Sequence, residues 1–215
     1  MHVKTRLVLV RHGQTSANSS RLLCGSTDLP LDPVGERQAQ LVARRIATEL
    51  DVHALVSSPM ARARATAAPI ASLTGLSVEE ASDLREVCFG DLEGSTVERL
   101  ETEHPHIAQL MLDPYNTSLR WPNGDHMLEF YTRTQRAFAE IALAHPRETV
   151  VVVAHGAVIG GYLRYATGTP INAWRTHGVR NCSISLVDML DGHPIVTASN
   201  DCAHLDTVLE LVQEA

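Results

Sequence analysis

The sequence predicts an α/β fold, a single three-layer α/β/α domain with a mostly parallel central sheet. Three observations lead there. Leu7–Val10 and Val150–Val153 are short, wholly apolar runs, the pattern of strands buried on both faces of a parallel sheet. Helical periodicity fills the stretches between strand signals, as at Val42, Ile46 and Leu50. Strand and helix signals also alternate along the chain, which is the order of an α/β protein. With 215 residues, 44% of them hydrophobic, the chain can bury one sizeable core. We take residues 1–215 as one domain with a helical and loop excursion at about 95–125.

After the strand at Leu7–Val10, Asp32-Pro33 supplies an N-cap and a proline suited to the first helical turn. That helix runs to about Leu50. Ala54–Val56 reads as a second strand. Ser58-Pro59 starts another helix, Gly75 stops it, and Pro69 should kink or shorten it. Ser95 to Leu112 reads helical. Asp113 to Asp125, rich in proline, asparagine and glycine, is a loop, and a long helix follows to Ala144. After Val150–Val153 a helix follows His155-Gly156 and ends near Gly168. Ser183–Met189 and Pro194–Ser199 flank Asp191-Gly192, a hairpin turn.

Composition narrows the function. A net charge of −7 argues against nucleic acid as a partner, so any phosphate site must concentrate its cations locally. Cys24, Cys88, Cys182 and Cys202 fit no zinc spacing and read as free thiols of a reducing compartment. The apolar stretch near the N-terminus is too short for a signal-peptide core, and Val150–Leu163 is too short for a membrane span. The expectation is a cytoplasmic protein with no membrane partner. The segment from His204 to Val212 is amphipathic and offers a face to the domain or to a second copy in a homodimer.

The chemistry gathers at strand ends. Val10-Arg11-His12-Gly13 and Val153-Ala154-His155-Gly156 each place a His-Gly pair just past a valine-rich strand. Ligands of open α/β sheets bind in the crevice beyond those ends. If the strands are neighbours, the imidazoles face each other. Ser57-Ser58-Pro59-Met60-Ala61-Arg62 follows another buried strand and puts Arg62 in a first helical turn, where free N–H groups suit a phosphate. Arg11 and Arg62 could then fork onto phosphoryl oxygens, whereas Arg64 points away to solvent. A carboxylate should come from Leu84–Gly94, where Glu86, Asp91 and Glu93 are not ranked by residue chemistry alone. His104-Pro105-His106 lacks acidic or cysteine partners, so no metal site is expected.

Taken in order, these residues resemble the histidine phosphatase superfamily, also called phosphoglycerate mutase-like. The resemblance runs from about Arg6 to Leu186. It rests on Arg11-His12-Gly13-Gln14-Thr15 with Asn18, Gly25 to Leu31 leading to Gly35, and Ser57-Ser58-Pro59 with Arg62-Ala63 and Thr66-Ala67. Leu84-Arg85-Glu86 with Gly90 and Glu93-Gly94, then His155-Gly156, complete it. The resemblance implies that His12 is a nucleophile that becomes phosphorylated. It implies a phosphate pocket of Arg11, Arg62 and His155 with Asn18, Gly25 and Gly156 beside it, and Glu86 as proton donor. No metal or cofactor is needed for such a scheme. Leu92 stands where many members have tryptophan, and Asn123-Gly124-Asp125-His126 where many read Gly-Gly-Glu-Ser. His126 either shapes the pocket mouth or merely starts a helix. Cys24, next to Gly25, either lines the pocket or packs as a small thiol.

The function expected is hydrolysis of a small phosphorylated metabolite through a phosphohistidine. A cofactor-dependent phosphoglycerate mutase is the alternative, but such enzymes carry a longer lid, and only 68 residues lie between Glu86 and His155. A phosphate-ester-binding module without turnover is the other alternative. It is disfavoured because every residue of the set is present.

Overall fold

A computed structural model describes residues 4–170, 172–173 and 177–205. In chain order, β1 (Lys4–Arg11) leads to a one-turn helix α1 (Ser16–Ser19) and to α2 (Pro33–Glu49). Then come β2 (Ala54–Ser57), α3 (Ala61–Thr74) and β3 (Val78–Glu80). α4 (Val97–Glu103), α5 (Pro105–Leu112) and α6 (Met127–Ala144) precede β4 (Thr149–Ala154) and α7 (Gly156–Ala166). β5 (Ile184–Leu190) and β6 (His193–Asp201) close the sheet.

The strands form one six-stranded sheet in the order β3-β2-β4-β1-β5-β6. Only β5 runs against the rest, so the sheet is mostly parallel, as expected. Alternation within strands builds two cores. Leu7, Leu9, Val56, Val150 and Val152 face α6 and α7 through Phe138, Ile159 and Tyr162. Val8, Val10, Leu55, Val151 and Val153 face α2 and α3 through Val42, Ile46, Ala67 and Ile70. Both faces of the sheet are therefore covered, which is why its central strands read as unbroken apolar runs.

Several boundaries follow the sequence. Asp32 caps α2 by accepting from the Gly35 N–H at 2.8 Å, with Pro33 first in the helix. The hairpin turns at Asp191 and Gly192, both at positive φ (50° and 83°), as a two-residue turn matched to strand twist requires.

Others differ. α3 starts at Ala61, not at Ser58-Pro59, because the Ser58 N–H still donates to Val153 O at 2.9 Å and extends the sheet. The Ala61 N–H is then capped by the Asp28 carboxylate at 2.8 Å, a partner distant in sequence. Pro69 does not end that helix, which continues to Thr74. The helical stretch 95–112 is parted at His104, where Pro105 restarts it as α5. β3, an edge strand of three residues, and α1 are too short to show a period and were not expected. The amphipathic segment proposed for His204–Val212 lies, beyond Leu205, outside the described residues. Among the described residues no helix is long and apolar enough to cross a membrane.

One close approach sets the geometry beyond β1. A Cβ on Gly13 would lie 2.5 Å from Gly35 O, and one on Gly35 would lie 2.1 Å from Gln14 O. The turn after β1 and the start of α2 thus meet backbone to backbone. Gly13→Ala should cost about 2 kcal/mol or more, whereas Gly178→Ala, with nothing within 4 Å of its Cβ, should stay within about 0.5 kcal/mol. Urea denaturation midpoints of the two variants check this; equal midpoints would remove the steric argument.

Candidate active site

β1 and β4 pair in parallel with Arg11 opposite Ala154, and the His12 N–H donates to Ala154 O at 2.9 Å. The next residue on each strand is a histidine. Their ring centroids lie 5.1 Å apart with planes inclined by 59°, so the two strand ends do bring the imidazoles together. Both rings are buried, His12 at 4% exposure and His155 at 0%. His12 Nδ1 lies 2.7 Å from Gly13 O. A carbonyl only accepts, so Nδ1 carries the proton and Nε2 keeps its lone pair. The His12 carbonyl is itself held by Asn181 Nδ2 at 2.9 Å.

Two guanidinium groups flank the rings. Arg62, 1% exposed on the first turn of α3, donates from Nη2 to Gly25 O at 2.7 Å and from Nη1 to Thr27 O at 2.8 Å. Its Nε donates to His155 Nδ1 at 3.2 Å. Nη2 also faces Met60 Sδ at 3.4 Å, so one hydrogen, on Nη1, remains for a ligand, with the Asp28 carboxylate 4.0 Å from that nitrogen. Arg11 donates from Nη1 to Val179 O at 2.6 Å, while its Nε is buried with no hydrogen-bond partner among the described residues. A Cβ on Gly156 would sit 3.3 Å from Arg11 Cζ, so this glycine leaves room for the guanidinium. Arg64 is exposed and 3.6 Å from Glu80, away from the site.

The three carboxylates left unranked by the sequence separate cleanly. Glu86 reaches the site, where Oε2 accepts from the Ala157 N–H at 3.0 Å and Oε1 from the Val87 N–H at 3.0 Å. Glu93 instead gathers the backbone N–H groups of Gly25, Ser26 and Thr27 and clamps that loop. Asp91 accepts from Asn123 Nδ2 at 2.9 Å on the surface.

Burial, then the charges of Arg11 and Arg62, hold His12 well below the usual histidine range. Burial does the same to His155, joined by His12, Arg62, Arg11 and Arg133. Burial pushes the Glu86 carboxyl up; the Ala157 and Val87 N–H groups and the two arginines oppose it without cancelling it. The site therefore brings two imidazoles that burial keeps neutral and two arginines together with one reluctant carboxylate, Glu86. A tetrahedral oxyanion suits it.

Other expected residues take supporting places. Gly25 lies behind Arg62, its N–H on Glu93 and its carbonyl on Arg62. Asn18 Oδ1 accepts from Asn181 Nδ2 at 3.1 Å and from the Thr15 N–H at 3.1 Å, which leaves its amide donor as the free end. Cys24 sits against Thr27 O at 3.4 Å, and Cys88 rather than Cys24 lines the cleft beside Glu86. His126 is the N-cap residue of α6 and is not among the residues lining that cleft, whereas Asp125 is. Leu92 is core, 3% exposed. Ser58 and Asn181 were given no role from sequence. Ser58 stands in the run Ser57-Ser58-Pro59 after β2, but nothing near Asn181 marks it, since its contacts are 163 and 169 residues away.

Residues 7–202 match the family model of the histidine phosphatase superfamily (branch 1). A probable phosphoglycerate mutase GpmB of Yersinia enterocolitica is 35% identical over 206 residues, 94% of this chain and 95% of the relative. A mutant phosphoserine phosphatase of Entamoeba histolytica, solved with phosphoserine, is 27% identical with a TM-score of 0.84, covering 94% of this chain and 99% of that one. Bacillus stearothermophilus YhfR superimposes with a TM-score of 0.85 at 25% identity, over 94% of this chain and all (100%) of its own. The chain belongs to the histidine phosphatase superfamily.

The buried histidines make stability depend on pH. Their folded pKa values are depressed, while in the unfolded chain they titrate near ~6.5. Below that pH the unfolded state binds protons that the folded state refuses, so stability is full above pH ~6.5 and falls as pH drops. At pH ~5.5 each histidine should have cost about 1.4 kcal/mol. Urea unfolding at both pH values should show the loss, and His12→Gln should shrink it by about 1.4 kcal/mol. An unchanged slope in that variant would mean His12 is not buried neutral.

Proposed function

From membership of the histidine phosphatase superfamily as premise, we propose that this chain hydrolyses small phosphomonoesters through a phosphohistidine at His12. The observation that carries this reading is the 2.7 Å contact from His12 Nδ1 to Gly13 O, which aims an unprotonated Nε2 into a pocket of cations. A neutral imidazole so fixed is a nucleophile for phosphorus. Arg11, Arg62 and His155 surround the place where charge develops on the equatorial oxygens. Asn18 offers its amide donor, and Gly25 and Gly156 keep the two guanidinium groups in place.

Glu86 supplies the proton for the leaving alkoxide. Burial already raises its pKa, and a bound phosphate dianion raises it further. After the alcohol departs, the same carboxylate can take a proton from the water that attacks the phosphohistidine, returning Glu86 to its starting state. A cleft of about 350 Å³ opens beside Glu86, bordered by Asp83, Arg85, Asp125 and Arg133 and by no aromatic ring. Its size is that of a small-metabolite pocket, and its wall mixes side chains of both charges with Met60 and Cys88. That supports a small hydrophilic leaving group.

The mutase name carried by relatives such as the Yersinia protein keeps one rival in view. A mutase must hold its phosphohistidine away from water until the second transfer. Incubation with 3-phosphoglycerate should release inorganic phosphate with no 2-phosphoglycerate; clean isomerisation would reverse the assignment. With a 32P-labelled monoester, brief acid-free quenching should trap label on the protein, and His12→Ala should abolish it. Glu86→Gln should lower kcat by about 10²–10⁴ on alkyl phosphates yet spare p-nitrophenyl phosphate, whose leaving group needs no proton. Equal losses on both substrates would deny Glu86 the acid role.

A further inference from the structure

His155 is held on both ring nitrogens. Arg62 Nε always carries hydrogen and donates to Nδ1 at 3.2 Å, so Nδ1 of the neutral ring is bare. The ring proton then sits on Nε2, 2.7 Å from Ser58 Oγ. Ser58 is fully buried at the end of β2, and the Met60 N–H approaches the same oxygen at 3.4 Å. Ser58 Oγ is therefore set as an acceptor toward His155. In this arrangement His155 has no N–H to offer a phosphoryl oxygen. With Ser58 kept as acceptor from Nε2–H, His155 gains one by taking a second proton at Nδ1, in place of the 3.2 Å contact from Arg62 Nε.

We infer that Ser58 is a positioning residue that holds the Nε2–H of His155, so that oxyanion binding draws one proton from solvent onto Nδ1 and turns His155 into a donor to the bound phosphoryl group. This rests on the reading that the oxyanion binds among Arg11, Arg62 and His155. The charges facing the ring explain why the proton waits. Arg11 and His12 on the β1 side, Arg62 on α3 and Arg133 on α6 all disfavour an imidazolium in the empty site. Glu86 is tied to the Ala157 N–H and does not offset them. A dianion placed among these groups reverses the balance. Ser58 then accepts from the imidazolium on one side while the ligand accepts on the other. The step balances simply: one solvent proton is bound, one N–H bond forms at Nδ1, and no other bond changes.

Tungstate is the probe, because it is a dianion that does not itself titrate near neutral pH. Calorimetric titration at pH 7.5, in two buffers of different ionisation enthalpy, counts the protons taken up. Wild type should bind tungstate with uptake of about one proton beyond whatever Glu86 takes, and Glu86→Gln, which removes that share, should keep an uptake of about one. Ser58→Ala, folded by circular dichroism, should bind tungstate with clearly less uptake. It should also lower kcat about 10- to 100-fold, with an alkaline limb displaced to lower pH, as loss of a hydrogen bond to a charged group implies. Ser58→Thr, which keeps the hydroxyl, should restore both the uptake and the limb. Tungstate binding without proton uptake in Glu86→Gln would overturn this inference alone. Unchanged uptake and pH profile in Ser58→Ala would also overturn it. Failure of tungstate to bind would overturn the phosphate-site reading together with it.

Discussion

The parallel pairing of β1 with β4 in one register is the constraint on which the site depends. Arg11 opposite Ala154 puts His12 and His155 side by side at the same height above the sheet. A slip by one residue would turn Leu7 and Leu9 to the face now filled by Val8 and Val10 and would part the imidazoles. Both faces of these strands are buried, so such a slip would misplace packed side chains on two sides at once. The juxtaposition of the two imidazoles is thus protected by the hydrophobic core.

Those groups would not gather unaided. Arg11 and Arg62 stand near each other and near two buried rings, and burying cations without partners is costly. The fold offsets this with neutral acceptors. Carbonyls of Gly25 and Thr27 hold Arg62, and the carbonyl of Val179 holds Arg11. The loop carrying Gly25 and Thr27 is in turn fastened by a single carboxylate, Glu93, which accepts its successive N–H groups. The dependence runs from Glu93 to the loop, from the loop to Arg62, and from Arg62 to His155. Because carbonyls are dipoles and not charges, they hold the two guanidinium groups without neutralising them, and the buried Arg11 Nε–H is left without a hydrogen-bond partner among the described residues.

This division also explains how far the sequence could be read. The strand ends are legible because a buried parallel strand has an unmistakable composition, and a His-Gly pair directly after it can go only to the crevice. Arg62 is legible because it opens a helix after another such strand. Glu86 is not separable from Asp91 and Glu93 by residue type. Only the fold shows that Glu86 meets the start of α7, that Glu93 clamps a loop, and that Asp91 faces Asn123. Asn181 and the Asp28 cap of α3 are invisible locally, because each works across a long stretch of sequence. β3 escapes because Val78-Glu79-Glu80 is an exposed edge whose pairing with β2 is decided by its neighbours.

The two halves of the site are specified in different ways, and selectivity follows from that. The phosphate half is built from strand ends and the first turns of helices, where backbone geometry leaves little freedom. The cleft beside Glu86 is bordered by side chains from separate segments, namely Ser26, the stretch from Ser82 to Cys88, Asp125, and Arg133 on α6. Arg133 bridges two of them, donating from Nη1 to the carbonyls of Asp83 and Arg85 at 2.8 and 3.0 Å. Its Nη2 lies 3.7 Å from Asp125, too far for a hydrogen bond. Each wall can therefore change by single substitutions without disturbing the register of β1 and β4. The constraint that aligns the histidines thus does not pass through the residues that border the cleft beside Glu86.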